Sequence, residues 1–496
     1  MSDEKPDQTL AATEVYAIHG ADPEVLAYAM AKYSRSSLSM KESLREISAQ
    51  RAEHFLNTFY FAYGHRSIAD LAHIPFAIER LSLLAAISLV DEQRWDGQER
   101  STRYQDFRKS GWFTPDFGAF TARYSASVEA LFTAYDQVSR GMLEALKSSI
   151  PCPATMKPDA YERTLKARAF DVARYLLPLA TNTSLGQIVN ARTLETQVSR
   201  LLTSDFAEIR TLGDKLRSAA TEPAWNVDPE ARPVKTAPTL VKYAVANDYQ
   251  RQTRAVLAQA AAELMGSTAL APAPVVDLID GNDPLEIELA ASLLYPHCHY
   301  SYRQLRDHVR VLAAPRLAEL IDLGTRHRGR HDELLRAFHS GATLKFDILM
   351  DIGGFRDMHR HRRCTQLLQS FADLHGFDTP DAPGQPTLAA AGLQQLYAAA
   401  TQAAHTAYQS LAQSGVDEAA QSAQYCLPLA TRCRSLFKMD FAEALYISEL
   451  RSGVAGHYSY RRVAWEMFRA VQRQHPSLAA MFRIDDVNEP VDLLKR

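Results

Sequence analysis

Hydrophobic and polar positions follow two periods along this chain. Long stretches such as Tyr124 to Lys147 and Leu388 to Gln413 repeat apolar residues every three or four positions, which is the spacing of an amphipathic helix. Short runs such as Phe346-Asp347-Ile348-Leu349-Met350 read as strands. Asn247 to Met265 is rich in strong helix formers, and Thr221 to Leu240, rich in Pro and Ala, reads as linker. Residues 1 to 12 read as a disordered leader. Long helices with few strands predict an α+β fold in which helices cover a small sheet.

Two passages are written twice. Val15-Tyr16-Ala17-Ile18 is expected to be a strand, followed by the turn His19-Gly20-Ala21-Asp22-Pro23 and a helix from Glu24 to Tyr33. The same order recurs in Val276-Asp277-Leu278-Ile279, Asp280-Gly281-Asn282-Asp283-Pro284 and Leu285 to Tyr295. Later, Tyr175-Leu176-Leu177-Pro178-Leu179-Ala180-Thr181 is echoed by Tyr425-Cys426-Leu427-Pro428-Leu429-Ala430-Thr431. The echoes predict two copies of one unit, 13–225 and 274–490, joined by 226–273, a linker carrying one helix.

The net charge of -3 argues against a general nucleic-acid binder, so any anion site must be local. Five cysteines, none in a C-x-x-C pair, suggest reduced thiols and a cytoplasmic protein, and give no metal framework. His297, His299, His327 and His331 lack a carboxylate or cysteine to complete a metal set, so no metal is expected. The longest apolar run, Leu81 to Val90, is too short to span a bilayer.

Candidate chemistry lies in three places. Arg356-Asp357-Met358-His359-Arg360-His361-Arg362-Arg363-Cys364-Thr365 concentrates guanidinium and imidazole groups, which need anionic partners if they are desolvated. A nucleotide or flavin fits that need, and so does a solvated basic face. Gln98-Glu99-Arg100-Ser101-Thr102-Arg103-Tyr104 offers a hydroxyl, a carboxylate and arginines to a phosphate or sugar, or forms a charged turn. Asn190 and Arg192 stand at the start of a helix running to Leu202, where free N–H groups favour an anion.

In this order the pieces resemble the flavin-dependent thymidylate synthases. That family shows His-x-Ser/Thr, Gln-x-x-Arg-His-Arg-x-x-Ser, Glu-x-Ser-x-Arg-Tyr, Ala-Arg-x-x-Leu-Pro, Asn-x-Arg, and a late Leu-Arg before Ala-Gln-x-Glu-Ile. The first copy matches at His65, Ser67, Glu99, Ser101, Arg103, Tyr104, Ala173, Arg174, Leu177, Pro178, Asn190 and Arg192, but has Asp91-Glu92-Gln93 in place of Arg-His-Arg. The second copy keeps Arg360-His361-Arg362, Thr365 for the serine, and Leu450-Arg451. It has Asp357 for the glutamine, Ala372 for the motif arginine, and Asp440-Phe441-Ala442 for Asn-x-Arg. Each copy has lost what the other keeps.

The resemblance implies one composite site in a fused pseudo-dimer whose copies each carry a small, mainly antiparallel sheet covered by long helices. It also implies FAD held by Arg360, His361, Arg362 and Thr365, with His65 and Ser67 as further contacts. A pyrimidine nucleotide would be bound by Glu99, Ser101, Arg103, Asn190, Arg192, Arg360 and Arg451, with Ser101 and Arg451 as the catalytic pair. Methylenetetrahydrofolate and NADPH are the implied co-substrates, dUMP to dTMP the reaction, and a homodimer the assembly. A depleted second site would pair Asp91-Glu92-Gln93 with Ala372 and Ala442. Two other readings stay open: a related flavin and folate enzyme that methylates or hydroxymethylates another pyrimidine nucleotide, and a non-catalytic nucleotide- or RNA-binding descendant.

Overall fold

The computed structural model describes residues 15–33, 36–46, 66–242, 244–281, 283–330 and 332–494. They fall into two compact units. One comprises the described residues up to Ile74 with Val189–Glu195 and Leu216–Ala244; the other comprises Pro75–Ile188, Thr196–Lys215 and Val245–Arg496.

In the first unit the helix Pro23–Lys32 starts on a proline, whose missing N–H costs nothing at that position. The preceding turn needs Gly20 at φ 82°, and its counterpart Gly281 has φ 84°, both left-handed. Val15 to Ile18 is irregular rather than a strand, because Val15 and Tyr16 are exposed and have no apolar face to bury. The C-terminal end of the Pro- and Ala-rich stretch is buried at Ala237, Thr239 and Leu240, while Trp225 and Val227 near its start are exposed. The buried Glu24 carboxylate accepts from the Thr239 and Leu240 amides at 2.8 and 2.7 Å. A hydrogen bond to a carboxylate more than two hundred positions away leaves no trace in local composition.

The second unit holds most of the regular structure. Strands β1 (His73–Ser82), β2 (Asp96–Glu99) and β3 (Asn182–Asn190) form a sheet ordered β1-β3-β2. Strands β4 (Val276–Leu278), β5 (Leu344–Asp351), β6 (Thr365–Leu368) and β7 (Arg432–Met439) form a second, ordered β4-β5-β7-β6. β2 pairs antiparallel with β3, and every pair in the second sheet is antiparallel. β5 is buried along nearly its whole length, in line with its continuous apolar run. The helix Asp248–Met265, capped by Asn247, buries Leu257, Ala260, Ala261 and Met265 against Leu293, Leu294, Tyr295 and Leu305. Among the described residues no helix is long and apolar enough to cross a membrane.

The two Leu-Pro-Leu-Ala passages pair with each other. Leu179 N donates to Leu427 O and Leu429 N to Leu177 O, both at 2.9 Å; Ala180 N donates to Tyr425 O and Ala430 N to Tyr175 O, at 3.0 and 2.9 Å. Reciprocal bonds of this kind describe a local two-fold axis between Pro178 and Pro428, which form an antiparallel bridge. The surroundings obey the same relation. Leu83 and Leu84 donate to Thr181 O and Leu179 O at 2.9 and 3.1 Å, while Ile352 and Gly353 donate to Thr431 O and Leu429 O at the same distances. The long helices Thr121–Ser149 and Gln394–Ala412 pack together beside this axis.

Candidate active site

β5 delivers the basic run. Its last residue, Asp351, caps the helix Ile352–Met358 by accepting from Gly354 N at 2.7 Å. That short helix presents Arg356 and Asp357 from its last turn, and the turn closed by His361 N to Met358 O (3.1 Å) presents Arg360, His361 and Arg362 before β6 begins at Thr365. β2 delivers the facing half. It ends on Glu99, and a turn with Gln105 N bonded to Ser101 O at 3.1 Å carries Ser101 and Arg103.

The two halves meet through charge. Arg356 donates to the Glu99 carboxylate, with both side chains about nine-tenths buried. Arg174, 1% exposed, places both Nη atoms 3.2 Å from Asp357 Oδ2. Burial raises the Asp357 carboxyl, but the guanidiniums of Arg174, Arg103, Arg360 and Arg451 outweigh it and hold the group below its ordinary range. Asp357, which departs from the family's glutamine, is thus the counter-ion of an arginine cluster drawn from segments far apart in the sequence. Arg362 lies 4.5 Å over the Trp95 ring, whose Nε1 donates to Gln187 at 2.7 Å.

Arg451, on the helix Phe441–Ser452, donates from Nε to His361 Nε2 at 2.7 Å. His361 must therefore be neutral with its proton on Nδ1, and burial, then Arg451 and Arg362, push its pKa down to about 3. Burial, aided by Arg360, also pulls Arg362 down to about 10, and its Nε is buried without a partner, as is that of Arg356. Arg360 is exposed. Positive charge outruns its internal counter-ions at this end of the cluster.

Several expectations change. Arg103, expected to grip a phosphate, has its donors taken by Asp171 (2.8 and 3.3 Å), Tyr460 OH (2.9 Å) and Ala455 O (3.2 Å). Ser101 Oγ accepts from Arg103 N at 3.2 Å and braces that turn. Asp91 binds Arg336 at 2.5 Å and Glu92 binds Arg200 at 2.8 Å, and Asp91 also lies 3.7 Å from His359 in the basic run. Thr365 opens β6 opposite Lys438. In the first unit, Asn190 Oδ1 accepts from Thr193 N at 2.8 Å and caps the helix Ala191–Leu202, while Arg192 pairs with Asp70 at 3.4 Å. Ser67 is exposed on the 3-10 turn Arg66–Leu71, and His65 lies outside the described residues. Sequence reasoning missed Arg356, Asp171, Tyr460 and Trp95 as site members; Arg356 stood in the basic run, but nothing local tied it to Glu99.

The segments on either side of the axis match known proteins. A family model, Thy1, thymidylate synthase complementing protein, matches residues 17–223 and 280–477. A UPF0159 protein of Chlamydia pneumoniae is 27% identical over 515 residues, covering 97% of this chain and 93% of its own length. A flavin-dependent thymidylate synthase of Clostridium tetani is 26% identical over 211 residues, 42% of this chain and 81% of its own. The structure of flavin-dependent thymidylate synthase ThyX from Helicobacter pylori, complexed with FAD and dUMP, shares 16% identity and covers 45% of this chain and 96% of that one, with a TM-score of 0.29. With most of its length matched in two segments, the chain belongs to the thymidylate synthase complementing protein family.

Proposed function

We propose that this chain is a flavin-dependent methyltransferase acting on a pyrimidine nucleotide, converting dUMP to dTMP with methylenetetrahydrofolate as carbon donor and NADPH as reductant. It is a fusion of two copies, 13–225 and 274–490, joined by 226–273, with one composite site. The carrying observation is the cluster around Asp357: Arg103 and Arg174, motif residues kept by the first copy, and Arg360 and Arg451, kept by the second, all act on that one carboxylate.

The residues suit FAD. The exposed Arg360 and the partnerless buried Nε of Arg362 are positive groups short of anions, as a pyrophosphate requires, and Thr365 adds a hydroxyl. Bound flavin would supply the two-electron chemistry that turns a methylene into a methyl group. Arg451 polarises a pyrimidine carbonyl, and neutral His361 aims it by accepting its Nε–H. Ser101 sets the turn through which the facing copy reaches the nucleotide. Two chains would associate to give the family's four-lobed assembly.

Purified protein should bind FAD with the absorbance of an oxidised flavin and oxidise NADPH only when nucleotide is present. Arg360→Ala and Ser101→Ala should each abolish that nucleotide dependence; its retention in both would overturn the composite site. One observation favours a second reading. Glu99 and Arg103 are engaged internally, so the nucleotide is gripped differently from the family pattern, and another pyrimidine could be the acceptor. Comparing dUMP, UMP and dCMP as acceptors separates the two.

A further inference from the structure

Arginines in this site are held in two different ways. Arg103, Arg174 and Arg356 each meet a carboxylate, Asp171, Asp357 and Glu99 in turn, so donors on their edges are occupied and their charge is answered. Arg362 is held by its face. Its Cζ lies 4.5 Å over the Trp95 ring, and among the described residues it forms no ion pair. Its hydrogen bonds are two long ones, from Nη1 to His359 O at 3.4 Å and to Arg360 O at 3.5 Å, and its Nε is buried with no partner. Burial pulls it down to about 10, whereas Asp171 outweighs burial at Arg103 and keeps that group above its ordinary range.

The ring is itself anchored. Trp95 stands just before β2, and its Nε1 donates to Gln187 Oε1 on β3 at 2.7 Å. Gln187 Nε2 donates to Gln197 Oε1 at 3.1 Å and Gln197 Nε2 to Leu89 O at 2.9 Å, so two buried amides tie the indole to the backbone. Gly97 leaves the space the ring needs, since a Cβ there would collide with the indole and with Gly186 O.

A carboxylate that positions an arginine also neutralises it and covers the edge through which phosphate oxygens are bound. An aromatic face positions it through the ring quadrupole and leaves charge and edge to a ligand. Resting on the reading of this site as an FAD site, we propose that Trp95 is the positioning residue of Arg362: it fixes the guanidinium by its face and keeps the edge ready for the cofactor's diphosphate.

Binding of FAD and of ADP to the full chain, by flavin absorbance for the first and calorimetry for the second, tests this. Trp95→Leu keeps apolar bulk without a ring face, Trp95→Phe keeps a face, and circular dichroism melts report whether each fold is kept. Trp95→Leu should raise the dissociation constant of both ligands about tenfold, and Trp95→Phe should recover part of that loss. In an Arg362→Ala background Trp95→Leu should add less than about twofold, because a residue that acts through another has no effect once the other is gone. Equal losses in Trp95→Leu and Trp95→Phe, no loss in either, or a Trp95→Leu effect that persists without Arg362 would each overturn the proposal. A wild type that binds ADP but not FAD, with the same coupling of Trp95 to Arg362, would overturn the FAD reading alone; one that binds neither would overturn both.

Discussion

Glu99 and Arg356, 257 positions apart, form a largely buried ion pair that ties the end of β2 to the last turn of the helix after β5. Removing one partner strands the other charge in a low-dielectric setting. Arg356→Ala should therefore destabilise the fold by about 3–5 kcal/mol in urea unfolding, and Glu99→Gln combined with Arg356→Met should cost clearly less than the two single changes added. Additive costs below about 1 kcal/mol each would mean that the pair joins nothing.

Arg451 depends on an imidazole that stays neutral. His361 is depressed to about 3, chiefly by burial, so it accepts from Arg451 throughout the physiological range and contributes no titration near pH 6.5 to turnover. The sign for stability follows. A depressed folded pKa favours the native state at neutral pH, and this contribution is lost as pH falls from about 6.5 towards 3. His361→Phe removes the acceptor and should lower kcat for nucleotide-dependent NADPH oxidation about a hundredfold, with a smaller change in nucleotide KM. His361→Gln, which keeps an acceptor, should recover part of the loss; equal loss in both would show that the imidazole does not aim Arg451.

The Leu-Pro-Leu-Ala echo and the reciprocal motif losses were legible in the sequence because they are local strings. The two strings of the echo are joined to each other by the two-fold hydrogen bonds at Pro178 and Pro428. What could not be read was which charge answers which. Asp357 looked like an eroded glutamine until Arg174 was found against it, and Asp91 looked like a lost basic residue until it was found beside Arg336 and His359. Such pairings are set by tertiary approach over hundreds of positions. Val15 to Ile18 failed for the opposite reason: an apolar string alone does not make a strand without a neighbour to bury it.

Asp357→Gln restores the family's residue and is still expected to harm this protein. Arg174 is 1% exposed and both of its Nη atoms bond Asp357, so the substitution leaves a buried guanidinium without its counter-charge. A loss of about 3–5 kcal/mol is expected, offset in large part by a second change, Arg174→Met. If Asp357→Gln melted at the wild-type temperature, the carboxylate would not be the counter-ion of the cluster.

A second carboxylate, Asp351, works in the other direction. It is 1% exposed, accepts from Gly354 N and from Ser459 Oγ, and is raised to about 6 by burial and by Asp378, against the lowering effects of Ser459 and Arg174. The corresponding cap in the first sheet exchanges the two groups: Ser82 caps Leu83–Leu89 and donates to the Glu208 carboxylate at 2.6 Å. A raised folded pKa means that the native state binds the proton more tightly than the unfolded chain. The penalty of ionising Asp351 is absent below about pH 4, grows through the window up to about pH 6 and is complete above it, reaching about 3 kcal/mol. Asn has the same shape, can still cap, and does not titrate. The stability of Asp351→Asn relative to wild type should thus rise by up to about 3 kcal/mol between pH 4 and pH 7, measured as the difference between paired urea titrations so that other groups cancel. A difference that stays flat across this window would show that Asp351 is ionised in the native state at all these pH values and that its burial costs the fold nothing.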